Sequence, residues 1–311
     1  MRCCTTTNSD GLPGTMSDET SNERTVTWSE LHEETRLVLH RSGVVENPAA
    51  EARWIVEEAT GVSGSDFVDI LRQPATVRGV AHLDAMVERR CGGEPIQYVL
   101  GVWSFRALDL MIDERVLIPR PETEVVAGLA IEELDRQRPN GGGTVVDLGT
   151  GSGAIGLSIA AERSASRVLL TDRSPEALAV ARANLAGLGL AGSGVEIAEG
   201  SWFDAVPERF LGECDVLVSN PPYIRSVDEL PTSVRDWEPH NALHSGIDGL
   251  DDLRIIVANA RQWLRMSGAL VLEMDSTQIQ DVGEMASRAG FDVSVHQDLA
   301  GLDRAIVARP T

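Results

Sequence analysis

VVDLGTGSGAIGL, residues 145–157, leads from an apolar, β-branched run through a glycine cluster into a stretch of small apolar residues. The segment TVVDLG (144–149) reads as a buried strand. Gly149, Gly151, Gly153 and Gly156 follow it. A tight turn after a strand calls for such residues, and bare backbone lets a ligand approach closely. Working outward, the chain alternates strand and helix. RVLLTD (167–172), VEIAEG (195–200), DVLVSN (215–220) and ALVLEM (269–274) read as further strands with helical stretches between them, and FDVSVHQD (291–298) and RAIVAR (304–309) close the chain. This is the pattern of a mostly parallel sheet of seven strands covered by helices. Only Leu299 to Asp303 separate the last two strands. That linker is too short for a parallel crossover, so the last strand is expected to run antiparallel.

The glycine cluster admits two ligand classes. Gly151-Ser152-Gly153-Ala154-Ile155-Gly156 fits the G-x-G-x-x-G fingerprint, and Asp172 ends the next strand, where a carboxylate takes ribose hydroxyls. A nicotinamide enzyme is therefore open on this evidence. Asp147 weighs against it. A carboxylate just before the loop repels a pyrophosphate and suits a ligand that carries an ammonium and a sulfonium. S-adenosylmethionine has both, with one ribose and no phosphate. The candidate cofactor-binding residues on this reading are Asp147, Gly149, Gly151, Gly153 and Asp172.

The fourth strand ends in VSNPPYI (218–224). Proline cannot donate to a sheet ladder, so Pro221 ends the strand, and Pro222 keeps the chain extended and stiff. The product is a rigid corner that presents the Asn220 amide and the Tyr223 ring.

Residues 28–92 have helical periodicity throughout. Asn47-Pro48 reads as an N-cap and first helical residue, Gly61 closes that helix, and Thr76 starts another that stops at Gly92-Gly93. Such a small helical bundle serves either as plain structure or as a docking platform. From 96 to 118 the period changes. Trp103 and Phe105 alternate, then Leu108, Leu110 and Ile112, as in a hairpin. The expected organisation is a disordered tail over 1–24, a helical substrate-docking domain over 25–93, a β-hairpin linker over 94–120 and the sheet domain over 121–311.

Composition narrows the function. The 311 residues carry a formal charge of −21, and all 27 basic residues are arginine. Such a chain repels nucleic-acid backbones, which argues against DNA or RNA as the main ligand. No apolar run is long enough for a membrane helix, and the N-terminus has no apolar core of a secretory signal. Cys3, Cys4, Cys91 and Cys214 fit neither a zinc site nor a disulfide framework, which suits a reducing, cytoplasmic setting. No further metal ligands accompany His240 and His244 at suitable spacing, so no metal is expected.

Together these residues resemble the class I S-adenosylmethionine-dependent methyltransferases, and NPPY narrows the resemblance to the HemK-type family. EPIQYVLG (94–101), VLIPRPETE (116–124), EPHNAL (238–243), DGLDDLR (248–254) and DLAGLDR (298–304) carry it further, over roughly residues 28–311. It implies a Rossmann-like α/β fold and transfer of a methyl group to the side-chain amide N5 of the glutamine in the GGQ motif of class 1 peptide chain release factors. By position it places Gly149, Thr150, Gly151, Ser152, Gly153, Asp172 and Asn220 at the cofactor, with Trp202 against adenine. It makes Asn220, Pro221 and Tyr223 catalytic, and it places Asn220, Pro221, Pro222 and Tyr223 around the substrate, with Phe105 and Glu122 walling the same pocket. Ser201 stands where the family often has an Asp before the aromatic residue, Trp237 where it often has Tyr, and Glu273-Met274-Asp275 where Glu-Ile-Gly is common. An adenine-N6 nucleic-acid methyltransferase is the alternative, and a non-catalytic module on the same fold is a third. The partner implied is a release factor, bound by a monomer without nucleic acid or membrane.

Overall fold

A computed structural model describes residues 25–311. The tail over 1–24, with Cys3 and Cys4, lies outside the described residues. Cys91 and Cys214 are free thiols, and no helix among the described residues is long and apolar enough to cross a membrane.

The N-terminal part is helical. Helix α1 is Trp28–Ser42, α2 Pro48–Thr60, the short α3 Phe67–Ile70, α4 Val77–Cys91 and the short α5 Ile96–Leu100. The caps fall where the side chains dictate: Asn47 accepts from the Ala50 amide, Thr76 from the Gly79 amide, and Gly61 closes α2 in the left-handed region. Trp28, Leu39, Ile55, Leu83 and Met86 form a core of their own.

A two-stranded hairpin follows, β1 (Val102–Phe105) and β2 (Leu108–Met111), with Trp103 opposite Leu110 and Phe105 opposite Leu108. The segment 96–100 departs from the hairpin expected there. Gln97, Tyr98 and Val99 close a helical turn that Gly101 ends at φ 75°. Arg89 holds this turn by donating to the carbonyls of Tyr98 and Val99. Trp54 of α2 meets Trp103 of β1 edge to face at 5.9 Å, joining the helical bundle to the hairpin.

The rest is a three-layer α/β sandwich. After α6 (Pro121–Gln137) come β3 (Thr144–Leu148), α7 (Ala154–Glu162), β4 (Arg167–Asp172), α8 (Pro175–Gly187), β5 (Val195–Glu199), β6 (Cys214–Ser219), the short α9 (Thr232–Arg235), α10 (Asp251–Trp263), β7 (Leu264–Glu273), α11 (Ile279–Arg288), β8 (Phe291–Gln297) and β9 (Asp303–Pro310). The strand order is β5-β4-β3-β6-β7-β9-β8, and β9 alone runs against its neighbours β7 and β8. Strand residues alternate between two cores. Val145, Val216, Val218 and Val271 face α6, α7 and α8, while Val146, Leu217, Leu270 and Leu272 face α10 and α11. Burial on both faces explains why these strands read as nearly continuous apolar runs. The chain order reverses between β3 and β6, so the C-terminal ends of these two central strands open a crevice, the usual ligand site of such sheets.

Candidate functional site

That crevice is a cavity of about 920 Å³, its open mouth included. Its floor is the glycine loop. Asp147, one residue from the end of β3, is only 1 % exposed. Its Oδ2 accepts from the Thr150 hydroxyl at 2.6 Å and from the Gly156 amide at 3.0 Å. The carboxylate thus pins the loop from beneath, and burial pushes its pKa up to about 6. Gly156 permits this approach, since a β-carbon there would lie 2.2 Å from Leu170 Cδ2 and 3.0 Å from Asp147 Oδ2.

One wall comes from β4 and β5. Asp172 accepts from the Gly151 amide through Oδ2 and from the Ser174 amide through Oδ1, which fixes its carboxylate beside the loop. Trp202 holds a backbone φ of 49°, a costly conformation for a bulky residue. Its indole N–H donates to Asp252 at 3.1 Å, and its ring stands so close to Gly149 that a β-carbon there would lie 3.2 Å from it. The strained backbone is offset by a ring fixed at both ends.

The other wall is the corner after β6. The Ser219 hydroxyl donates to the Leu148 carbonyl at 2.6 Å, tying this corner to the root of the glycine loop. Asn220 donates through Nδ2 to the Thr123 hydroxyl at 3.2 Å. Among the described residues, none donates to Asn220 Oδ1 or to the Pro221 carbonyl. Two further segments, within 115–119 and 239–242, contribute to the cavity's lining. The buried Glu238 carboxylate joins them by accepting from the Ile118 amide and the Arg120 guanidinium. Arg173 donates to the Asn241 carbonyl at 2.7 Å and ties the second of these lining segments to the β4 side.

The cavity therefore brings together Gly149, Thr150, Gly151, Ser152, Asp172, Trp202, Asn220 and Pro222. Six residues expected in the site are not among those lining the cavity. Asp147 lies beneath the loop because its carboxylate is used to shape it. Gly153 caps α7 at φ 88° and does not line the cavity. Phe105 does not wall the pocket. Strand alternation turns its ring, 1 % exposed, into the core beneath α6. Glu122 is half-buried on the first turn of α6, outside the cavity lining. Pro221 is buried at the corner itself. Tyr223 lines a neighbouring groove, packs on the α10 and α11 side, and has its phenol pKa raised by burial. Thr123 and Glu273 carry no site role in the sequence analysis, although Thr123 sits inside the quoted VLIPRPETE segment, whereas Glu238 of the family's Glu-Pro pair is expected to shape the pocket by hydrogen bonding and does so toward Ile118 and Arg120. The roles of Thr123 and Glu273 depend on contacts over long sequence separations, for which a single chain carries no local signal. Among the described residues, no group of three or more metal-ligating side chains converges.

The cavity fits S-adenosylmethionine in its chemistry. Asp172 holds a fixed carboxylate at the cavity wall, of the kind that suits ribose hydroxyls, the Trp202 ring offers an aromatic face, and the bare Gly151 backbone borders open space.

Comparison with known proteins shows the family. The family described as the PrmC N-terminal domain matches residues 30–101, and the methyltransferase small domain matches residues 125–235. A release factor glutamine methyltransferase of Geobacter sulfurreducens is 37 % identical over 278 residues, covering 88 % of this chain and 94 % of that one. One from Xylella fastidiosa is 42 % identical over 239 residues, covering 76 % and 84 %. Among solved structures, the hMettl16 catalytic domain in complex with the MAT2A 3'UTR hairpin 6 superposes with a TM-score of 0.51 at 13 % identity, covering 74 % of this chain and 81 % of that one, a likeness of fold alone.

Proposed function

The chain belongs to the release factor glutamine methyltransferase family, and on that premise we propose that it transfers a methyl group from S-adenosylmethionine to the side-chain amide nitrogen of the glutamine in the GGQ motif of class 1 release factors. The observation that carries this is the pair of acceptors at the corner after β6. Asn220 Oδ1 and the Pro221 carbonyl take no donor from the described residues, and Asn220 lines the same cavity as the glycine loop.

A carboxamide nitrogen is a poor nucleophile because its lone pair is delocalised into the carbonyl. When bound, S-adenosylmethionine supplies an electrophilic sulfonium methyl. Gly149, Thr150, Gly151 and Ser152 form its bed, Asp172 accepts from its ribose and Trp202 packs its adenine. The chain's contribution at the acceptor is geometric and electrostatic. Asn220 Oδ1 takes one amide N–H of the glutamine and the Pro221 carbonyl takes the other. Two acceptors fix the nitrogen's orientation and stabilise the positive charge that develops on it. Pro221 and Pro222 hold the backbone acceptor in place, and Tyr223 closes the corner from the side of the neighbouring groove. No strong base is needed before attack: as the nitrogen–methyl bond forms, the sulfur–methyl bond breaks and the donor leaves as a neutral thioether, and the cationic N-methylated amide is acidic enough to lose its proton to water. The helical unit over 25–93 serves as the docking domain for the release factor, and the protein acts as a monomer in the cytoplasm.

The test is incubation of the full chain with methyl-labelled S-adenosylmethionine and one of three acceptors: a purified release factor, the same factor with its GGQ glutamine replaced, or duplex DNA. Label on the unaltered factor alone is expected. Label on DNA, or on the glutamine-substituted factor, overturns the reading.

A further inference from the structure

Ser219 of β6 pairs with Leu272 of β7 in parallel register, so Asn220 and Glu273 are the next residues along two neighbouring strands. Alternation sends both toward α6, because Val218 and Val271, two residues earlier on each strand, pack in that core. The first turn of α6 brings Thr123 to Asn220, and the Thr123 hydroxyl is one of the groups that favour the charged form of Glu273. The Thr123 side chain is buried, and its hydroxyl accepts from Asn220 Nδ2 at 3.2 Å. Glu273 is only 1 % exposed, and its Oε2 is buried with no hydrogen-bond partner among the described residues. An unpaired buried carboxylate oxygen is expensive and asks for a reason.

We propose that Glu273, acting through Thr123, sets which end of the Asn220 carboxamide faces the substrate, and is thus a positioning residue for the transfer. The proposal rests on the function assigned above. A threonine hydroxyl has one proton. Directed at an ionised Glu273, which can only accept, that proton leaves an oxygen lone pair toward Asn220. Only the NH2 end of the carboxamide can meet a lone pair, so Oδ1 is turned to the glutamine amide. With Glu273 protonated, the hydroxyl is released to donate to Asn220 Oδ1, the carboxamide turns over, and the substrate loses an acceptor.

The charges around Glu273 make this a transition near neutral pH. Burial raises the carboxyl to about 7, against the Thr123 hydroxyl and the Arg304 and Arg120 guanidiniums, while Glu122 pushes it further up. Tyr223, whose phenol feels the Glu273 charge, stays neutral throughout this range. Ionised Glu273 is the competent form, so turnover rises as pH increases through about 7.

Two measurements on the full chain test this. In the first, transfer to release factor is followed from pH 5.5 to 8.5 for the wild type, Glu273→Gln, Thr123→Val and Thr123→Ser. Glu273→Gln and Thr123→Val are expected to lower kcat roughly tenfold with KM for release factor within about twofold, and Glu273→Gln is expected to lose the rise near neutrality. Thr123→Ser is expected to restore most of the turnover. In the second, the side-chain amide of Asn220 is followed by 15N NMR without cofactor, assigned by its absence in Asn220→Asp. Its signal is expected to titrate near pH 7 in the wild type and not in Glu273→Gln. Wild-type kcat and pH profile in Glu273→Gln, or an Asn220 signal that titrates identically in both, overturns the proposal. If Glu273→Gln fails to fold, the Thr123 pair and the wild-type titration decide. A wild type that labels no release factor defeats the functional reading instead, and the NMR titration still judges the positioning role.

Discussion

Asn220 concentrates the proposed chemistry in one carboxamide. Its Nδ2 is spent on Thr123 and its Oδ1 is free of donors from the described residues. Truncation removes one of two acceptors for the developing charge, an effect of the size seen for a lost oxyanion-hole donor. Asn220→Ala is expected to lower kcat by about 10² to 10³, with unchanged circular dichroism and a melting temperature within about a degree or two, since the residue is half-buried in a loop outside the two cores. Near-normal turnover in that variant counts against the mechanism. At this scale the residue types were legible in the sequence, because NPPY and the glycine cluster are local patterns. The destinations of their side chains were less so. Asp147 looks like a ligand contact when read by position, yet it is buried beneath the loop and its Oδ2 is engaged by Thr150 and Gly156. Phe105 looks like a pocket wall, and the pleat of β1 turns it into the core.

The glycine loop and α7 behave as one element. Asp147 reaches the Gly156 amide only because the first turn of α7 has no side chain at that place. Gly156→Ala leaves helix propensity improved by about 1 kcal/mol but forces Leu170 and Asp147 apart, and overpacking of this kind costs about 1–3 kcal/mol. The variant is expected to melt a few degrees lower and to bind S-adenosylmethionine more weakly, as isothermal calorimetry would read. An unchanged melting temperature would show that Leu170 yields without cost. Element type was legible wherever periodicity ran long, as in α1, α2, α4 and all seven strands of the large sheet. It failed at Ile96–Leu100, where five residues are too few to display a period and the turn is held by Arg89 from another helix.

Over the whole molecule, Glu238 joins the segment after the hairpin to the segment after α9. Removing a buried carboxylate that accepts from a backbone amide and a guanidinium costs about 2 kcal/mol. Glu238→Ala is therefore expected to lower both the melting temperature and the affinity for S-adenosylmethionine, because these lining segments of the cavity lose their tie. A loss of stability with unaltered affinity would place them outside the ligand's reach. Glu273 gives the fold a pH signature. Its folded pKa is raised to about 7 from an unfolded 4.5, so its favourable contribution is full below pH 4.5 and is lost as pH rises through 7. Glu273→Gln is expected to match the wild type in stability near pH 4.5 and to exceed it at pH 8 by at most about 3 kcal/mol, read from denaturant midpoints. A difference independent of pH would mean that the carboxylate is not held in a low-dielectric setting. The fold class and the antiparallel last strand were determined by sequence alone, since turn chemistry, linker length and apolar period act between near neighbours. Which carboxylates face the cavity and which brace it, and how Thr123, Glu238 and Glu273 come to serve residues nearly a hundred or more positions away, were decided only by the tertiary structure. Those contacts arise where separate strands end side by side, and no local propensity encodes that meeting.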